Sequence, residues 1–211
     1  MRTIDFTALE KRFQMASGLA TLTEVDEFFF KQAVNTRASL VWSRIKWPEL
    51  QTLVEKTVAA TTTPVAADKA VQIDNAVDVQ DVFKVYNKNP LTDRTAILID
   101  FQLINGYVVL PANSTETSIF IMGNLVRPEY GKESGDEQNV PMFLMNYLLA
   151  GCLSDFLRGD GQTEKAMQEE QRAEEYLAIE MDKAERIESQ NKITFNTYPS
   201  YSFGVNILTT T

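Results

Sequence analysis

The chain has 211 residues, 44% of them apolar and 23% charged, enough for a sizeable core with room for an arm. Its net charge of −9 and its lack of Lys/Arg clusters argue against tight binding to a phosphate backbone. One cysteine and no histidine exclude internal disulfides, Ser-His-Asp and Cys-His catalysis, and most zinc sites.

The opening residues MRTIDFTALEKRF lack an apolar signal-peptide core. The most apolar run, residues 140–153, is shorter than the ~20 residues of a membrane span and contains Asn146. A soluble protein of a reducing compartment is expected.

Residues 5–17 place Phe6, Leu9, Phe13 and Ala16 at helical spacing, with Gly18 as the stop. A second helix is expected to open at a capping box of Thr23 and Asp26. Phe29, Ala33 and Leu40 fall on one side of it, and Phe30, Val34, Val41 and Ile45 on an adjacent one. So wide an apolar arc suggests two packed surfaces. Pro48 is a candidate kink, and ELQTLVEKTVAA is expected to continue as helix to about residue 60. TTTPVAA (61–67) reads as a linker.

The period then changes. AVQID, VQDVFKVYN, TAILIDFQLI, YVVLP and TSIFIMGNLV have the β-branched and aromatic content and the length of strands. Asn105-Gly106 between two of them is a hairpin signal. One small antiparallel sheet is expected over about 69–126. Asp68, Asp74, Asp78 and Asp81 are too spread for a calcium loop and read as solvent-facing. Residues 127–139, rich in polar residues and Gly, read as an exposed loop.

From Pro141 a helix is expected to run to about Arg158, with Asn139 as its N-cap and Cys152 an inert buried thiol on it. Arg158-Gly159-Asp160 resembles a cell-attachment tripeptide. It also suits an αα corner, with Arg158 at a negative helix end, Gly159 as left-handed cap and Asp160 at the next helix's positive end. That structural reading needs no receptor. The second helix, about 162–190, carries Ala166, Ala173, Leu177 and Ala184 at 7-4-7 spacing. Ten acidic residues between 160 and 190 stand against four basic ones. They read either as a solvated face or as a surface that repels a polyanion. Glu169, Glu170, Glu174, Glu180, Glu185 and Glu188 are its candidates.

After Lys192 no side chain is charged. Phe195, Tyr198, Pro199, Tyr201 and Phe203 sit among Thr, Asn, Ser and Gly, as in an extended arm that docks on a neighbour or partner. The expected class is α+β: mainly a helical bundle, with a small antiparallel sheet module and an extended C-terminal arm. The divisions are 1–66 for the N-terminal helices, 67–130 for the sheet module, 131–191 for a helical hairpin and 192–211 for the arm. There is no Walker loop or dinucleotide fingerprint, and no catalytic residue, cofactor or metal site is expected.

The order of these parts, with GYVVLPANSTETSIFIMGNLVRPEYG followed by the segment from Pro141 to Tyr176, resembles the head-to-tail adaptor (connector) proteins of tailed bacteriophages, including those called tail tubular protein A. The resemblance is architectural and spans about residues 20–205. It implies a virion neck protein, assembled in the bacterial cytoplasm, that forms a usually ~12-fold ring under the portal. Such a ring binds the portal through its arm, meets tail or nozzle proteins below, and passes double-stranded DNA without binding it. It implies no enzyme activity and no membrane. Two rivals are another tail completion or tube component and an acidic chaperone-like binding module.

Overall fold

The computed structural model describes residues 2–60, 69–73, 78–111, 114–131 and 139–193. Within them the chain is a mixed α+β protein with four α-helices and small antiparallel sheets.

Helix α1 (Phe6–Ser17) buries Phe6, Leu9 and Phe13 and ends at Gly18, whose φ of 73° is left-handed. Helix α2 (Glu24–Trp42) begins at the capping box. The Thr23 hydroxyl oxygen accepts from the Asp26 amide at 3.3 Å, and the Asp26 carboxylate accepts from the Thr23 amide at 3.0 Å. Its inner face is packed at Phe30, Val34, Ala38 and Val41. The second apolar side is covered at Ala33 and half-covered at Phe29, but Leu40 remains 68% exposed.

Beyond a 3-10 turn at Pro48–Leu50 the expected helix does not form. Residues Gln51–Thr57 are a strand, β2, paired over its whole length with a later strand, Ser118–Asn124 (β8). The residues of β2 favour helices, but seven consecutive pairings outweigh that local bias. The sheet region therefore begins at Gln51.

It also holds two sheets in place of the single expected one. In the first, β8 lies between β2 and β5 (Val82–Tyr86). In the second, β3 (Ala59–Ala60), β4 (Lys69–Gln72), β7 (Tyr107–Val109) and β6 (Gln102–Ile104) are neighbours in that order. The β6–β7 hairpin turns through Asn105 (φ 50°) and Gly106 (φ 80°), the two positive values that the expected tight turn requires. TAILIDFQLI supplies β6 and, further up, a single bridge from Leu98 to Tyr86. Val85, Val108, Ile119 and Ile121 form the centre of this region's own apolar cluster. Gly123 of β8 permits the close approach of the 79–81 segment, since a Cβ there would stand 2.0 Å from the Asp81 carbonyl oxygen.

The larger cluster belongs to the helices. A two-residue strand β1 (Thr3–Ile4) pairs with β9 (Val140–Pro141), and a 3-10 turn at Met142–Leu144 leads into helix α3 (Met145–Gly159). The helix thus starts later than expected. Asn139 does not cap it, because residues 140–141 are held extended against β1. Helix α4 (Thr163–Ile193) packs back along α3, with Ala166, Ala173, Leu177 and Ala184 all buried. At 31 residues it is ~46 Å long, about twice α3, and it also touches both 3-10 turns.

The α3–α4 corner corrects one glycine. Gly161, at φ 78°, is the left-handed residue, while Gly159 is still helical. The Gln162 amide donates to the Leu157 carbonyl at 2.8 Å and the Gly161 amide to Arg158 at 3.2 Å, the paired bonds of a Schellman cap. Tyr130 is a second correction. In the segment expected to be an exposed loop it is 2% exposed, stacks on Phe6, and is held by Asn35 through both its amide (2.9 Å) and its carbonyl (3.0 Å).

Helices and sheets are joined by bonded contacts. The Trp42 indole N–H donates to the Leu125 carbonyl at 2.8 Å, and the Leu125 amide to that of Leu50 at 2.7 Å. Lys46 lies 4.8 Å above the Phe83 ring.

Candidate functional site

Helix α4 sorts its carboxylates by the direction each one faces. Positions 166, 173, 177 and 184 face inward, so residues one turn away sit at the seam with α3 and the rest face outward. Glu169, Glu170 and Glu180 are half-buried, whereas Glu174, Glu185 and Glu188 are exposed. Glu169 pairs with Arg172 at 2.7 Å and Glu180 with Lys183 at 2.6 Å, both along the helix. Glu174 stands 3.8 Å from Arg44 of α2. The six acidic candidates are therefore not one set, and Glu170 is withdrawn from any outward surface.

Glu170 is committed to Arg37. That guanidinium lies on the buried face of α2, three residues after Val34 and four before Val41. It reaches across α3 to α4. Its Nε and Nη2 donate to the two Asp155 oxygens at 2.7 and 2.8 Å, and its Nη1 and Nη2 to Glu170 at 3.2 and 2.7 Å. One side chain thereby ties three helices together. Gly151 of α3 makes the crossing possible, because a Cβ at that position would meet Nη1 at 2.5 Å. Burial alone disfavours the guanidinium's charge, but the bonds to Asp155 and then Glu170 outweigh it and hold Arg37 protonated. In return, the hydrogen bond from Arg37 lowers the Glu170 pKa below its ordinary value.

Sequence reading passed over Arg37. The signal was present, since a basic residue on the buried side of an amphipathic helix requires partners from elsewhere in the fold. Asp155 and Glu170 could not be chosen as those partners from spacing, because they meet Arg37 only in three dimensions.

Above Arg37 a cleft of about 540 Å³ opens between α2 and α4, floored by α3. Leu40 and Thr36 line one wall, Glu174 the other, and Tyr147 part of the floor. Arg44 sits at its rim. Burial raises the Tyr147 phenol above its ordinary range. Burial likewise pushes the Cys152 thiol up, and its side chain is sealed in the core, so it offers no thiolate.

Of the dispersed aspartates, Asp78 pairs with Lys56 at 2.6 Å and Asp81 accepts from Asn124 at 3.2 Å, whereas Asp68 and Asp74 lie outside the described residues. Among the described residues no group of three or more Cys, Asp or Glu is placed to hold a metal ion. Among them, too, no helix is long and apolar enough to cross a membrane. Phe195, Tyr198, Pro199, Tyr201 and Phe203 lie outside the described residues. The arrangement can do two things chemically: it locks three helices through one buried ionic clamp, and it presents an acidic, exposed flank beside an open cleft. Comparison with protein-family models and with curated proteins finds no match for this chain.

Proposed function

We propose that the chain is a structural protein of a tailed-phage neck. Twelve copies form a closed ring under the portal, join head to tail and give the DNA a passage. In this reading the four helices form the bundle of the ring wall, and the sheets reach toward the tail or nozzle proteins. Helix α4 runs to Ile193, past the expected start of the arm at 192, and the residues after it, 194–211, are in this reading an arm that docks on the portal through Phe195, Tyr198, Pro199, Tyr201 and Phe203. Glu174, Glu185 and Glu188, with the outer edges of Glu169 and Glu180, face the channel or the seam between subunits. The protein does no catalysis and takes no cofactor.

The observation that carries this reading is the division of labour along one chain. A long helix uses its small residues for close packing and turns acid outward, and it runs directly into a segment with aromatic side chains and no charged ones. An acidic wall repels the phosphate backbone, which favours passage over binding. Uncharged aromatics suit a protein interface and do not suit an open surface.

Replacing Phe195, Tyr198, Tyr201 and Phe203 together with Ser tests the arm. Co-purification with the portal should be lost while the circular dichroism and melting curve stay as in the parent. Retained co-purification would refute the docking role.

A further inference from the structure

Between β5 and β6 the chain makes a loop, residues 87–98, whose polar and apolar side chains have exchanged their usual places. Its base is closed by the Asn87 amide, which donates to the Ile97 carbonyl at 3.1 Å, and by the Ile97 amide, which donates to the Asn87 side chain at 2.8 Å. Within it the Asn89 side chain accepts from the Leu91 amide at 2.9 Å, and the Asp93 carboxylate from the Thr95 amide at 2.8 Å. Lys88 folds over onto the Thr95 hydroxyl at 3.0 Å and onto Asp93 at 3.3 Å. The polar groups are thus spent on the loop itself, and the large aliphatic ones face water: Leu91 is 77% exposed, Ile97 65% and Leu98 57%. A cluster of this kind marks a contact surface, and a loop tied by its own side chains loses little freedom on binding.

Its charge differs from that of the whole chain. From Val82 to Ile99 the charged side chains are Lys84, Lys88, Asp93 and Arg94, a net positive stretch in a chain of net charge −9. Lys88 and Asp93 pair with each other, so Lys84 and Arg94, both exposed, set the outward field. A complementary partner is aliphatic at its centre and acidic around it.

The outer side of α4 has that composition. Met167, Gln171, Glu174, Ala178, Asp182 and Glu185 follow at steps of three and four, which places them on one face, and all are exposed. Every charge among these six is a carboxylate. Lys165, Arg172 and Lys183 fall about half a turn round the helix, where Arg172 pairs with Glu169 and Lys183 with Glu180. Arg44 and Arg186 reach only the edges of the face, at Glu174 and Asp182. Met167 and the small Ala178 leave aliphatic surface between the acids.

We propose that the loop, through Leu91, Ile97 and Leu98 with Lys84 and Arg94, docks on this outer face of α4 in a second copy of the chain. Every copy carries both surfaces. A loop-to-helix contact is heterologous, so each added subunit presents the same pair of surfaces until the series closes. The contact deepens the ring reading by giving the ring its seam, and it rests on that reading only for closure.

Carbodiimide coupling joins a lysine amine to a carboxylate in direct contact with it. It tests the proposal on the concentrated full chain, with equal parts of isotope-labelled and unlabelled protein. The expected products join Lys84 or Lys88 to Glu174, Asp182 or Glu185 between labelled and unlabelled chains. Leu91→Asp, a change at an exposed position, should leave the melting curve as in the parent and lower the yield about tenfold, the effect of losing one buried aliphatic side chain. Coupling confined to one chain, products between chains that map elsewhere, no product, or an unchanged yield in the Leu91→Asp chain would each overturn the proposal. The native mass of the coupled material separates the two claims. A closed ring supports both the contact and the ring reading, whereas an open series of oligomers supports the contact and counts against the ring.

Discussion

Arg37 is the residue on which the arrangement of the helices turns. Its partners Asp155 and Glu170 are each about a third open to water, at 30% and 33% of the side chain, so they regain hydration when the guanidinium is removed. Arg37→Met should therefore destabilise the protein by about 1–3 kcal/mol, less than a fully buried pair would. Urea denaturation measures it. Gly151→Ala acts on the same contact from the other side. A methyl placed 2.5 Å from Nη1 must displace the side chain, with a cost of roughly 1–3 kcal/mol. The double variant should cost less than the sum, because both changes break one clamp. The clamp also sets a pH dependence. A carboxylate whose pKa is lowered on folding contributes stability that is present above its unfolded value and lost as pH falls through the folded one. Glu170 is such a group, with an ordinary value of 4.5. Stability should fall below about pH 4.5, and Glu170→Gln should flatten that part of the curve, read from urea midpoints at several acidic pH values. An unaltered slope would remove Glu170 from the account.

At the scale of elements, local chemistry predicted those parts whose signals are themselves local. The Thr23–Asp26 capping box, the Gly18 stop and the Asn105-Gly106 turn each depend on residues within a few positions, and each forms as expected. Thr23→Ala should cost about 1 kcal/mol in thermal or chemical unfolding, the usual loss at an N-cap. The stripe on α4 was legible for the same reason, since 7-4-7 spacing needs no knowledge of the partner. The misread elements depend on distant pairing. Residues 51–57 look helical until β8 offers seven partners, and Asn139 looks like a cap until β1 draws residues 140–141 into extended form. In the corner, Gly159 and Gly161 are equally suited to the left-handed position, and the Schellman bonds from residues 161 and 162 select the second. Tyr130 was misjudged from its polar neighbours, because composition averages over a segment whereas Asn35 captures one residue of it. For the candidate site, the acidic character of α4 was legible. The split between Glu170, bound inward, and Glu174, Glu185 and Glu188, facing outward, was not.

At the scale of the whole molecule, the described residues form two apolar clusters, one among the helices and one between the sheets. Its outward features are an acidic helix flank and an uncharged stripe, and an aromatic segment follows α4. Among the described residues the acidic flank of α4 and the stripe of Val25, Phe28, Gln32, Thr36 and Leu40 on α2 face water, and assembly into the proposed ring would give both a use. The central claim is thus about stoichiometry. The most direct test is the native mass of the complex this chain forms in cells that also make its neighbouring proteins. The account predicts a large closed ring of about twelve copies bound to a second ring protein. A monomer or dimer with no second ring protein would contradict it and favour an acidic chaperone-like binding module.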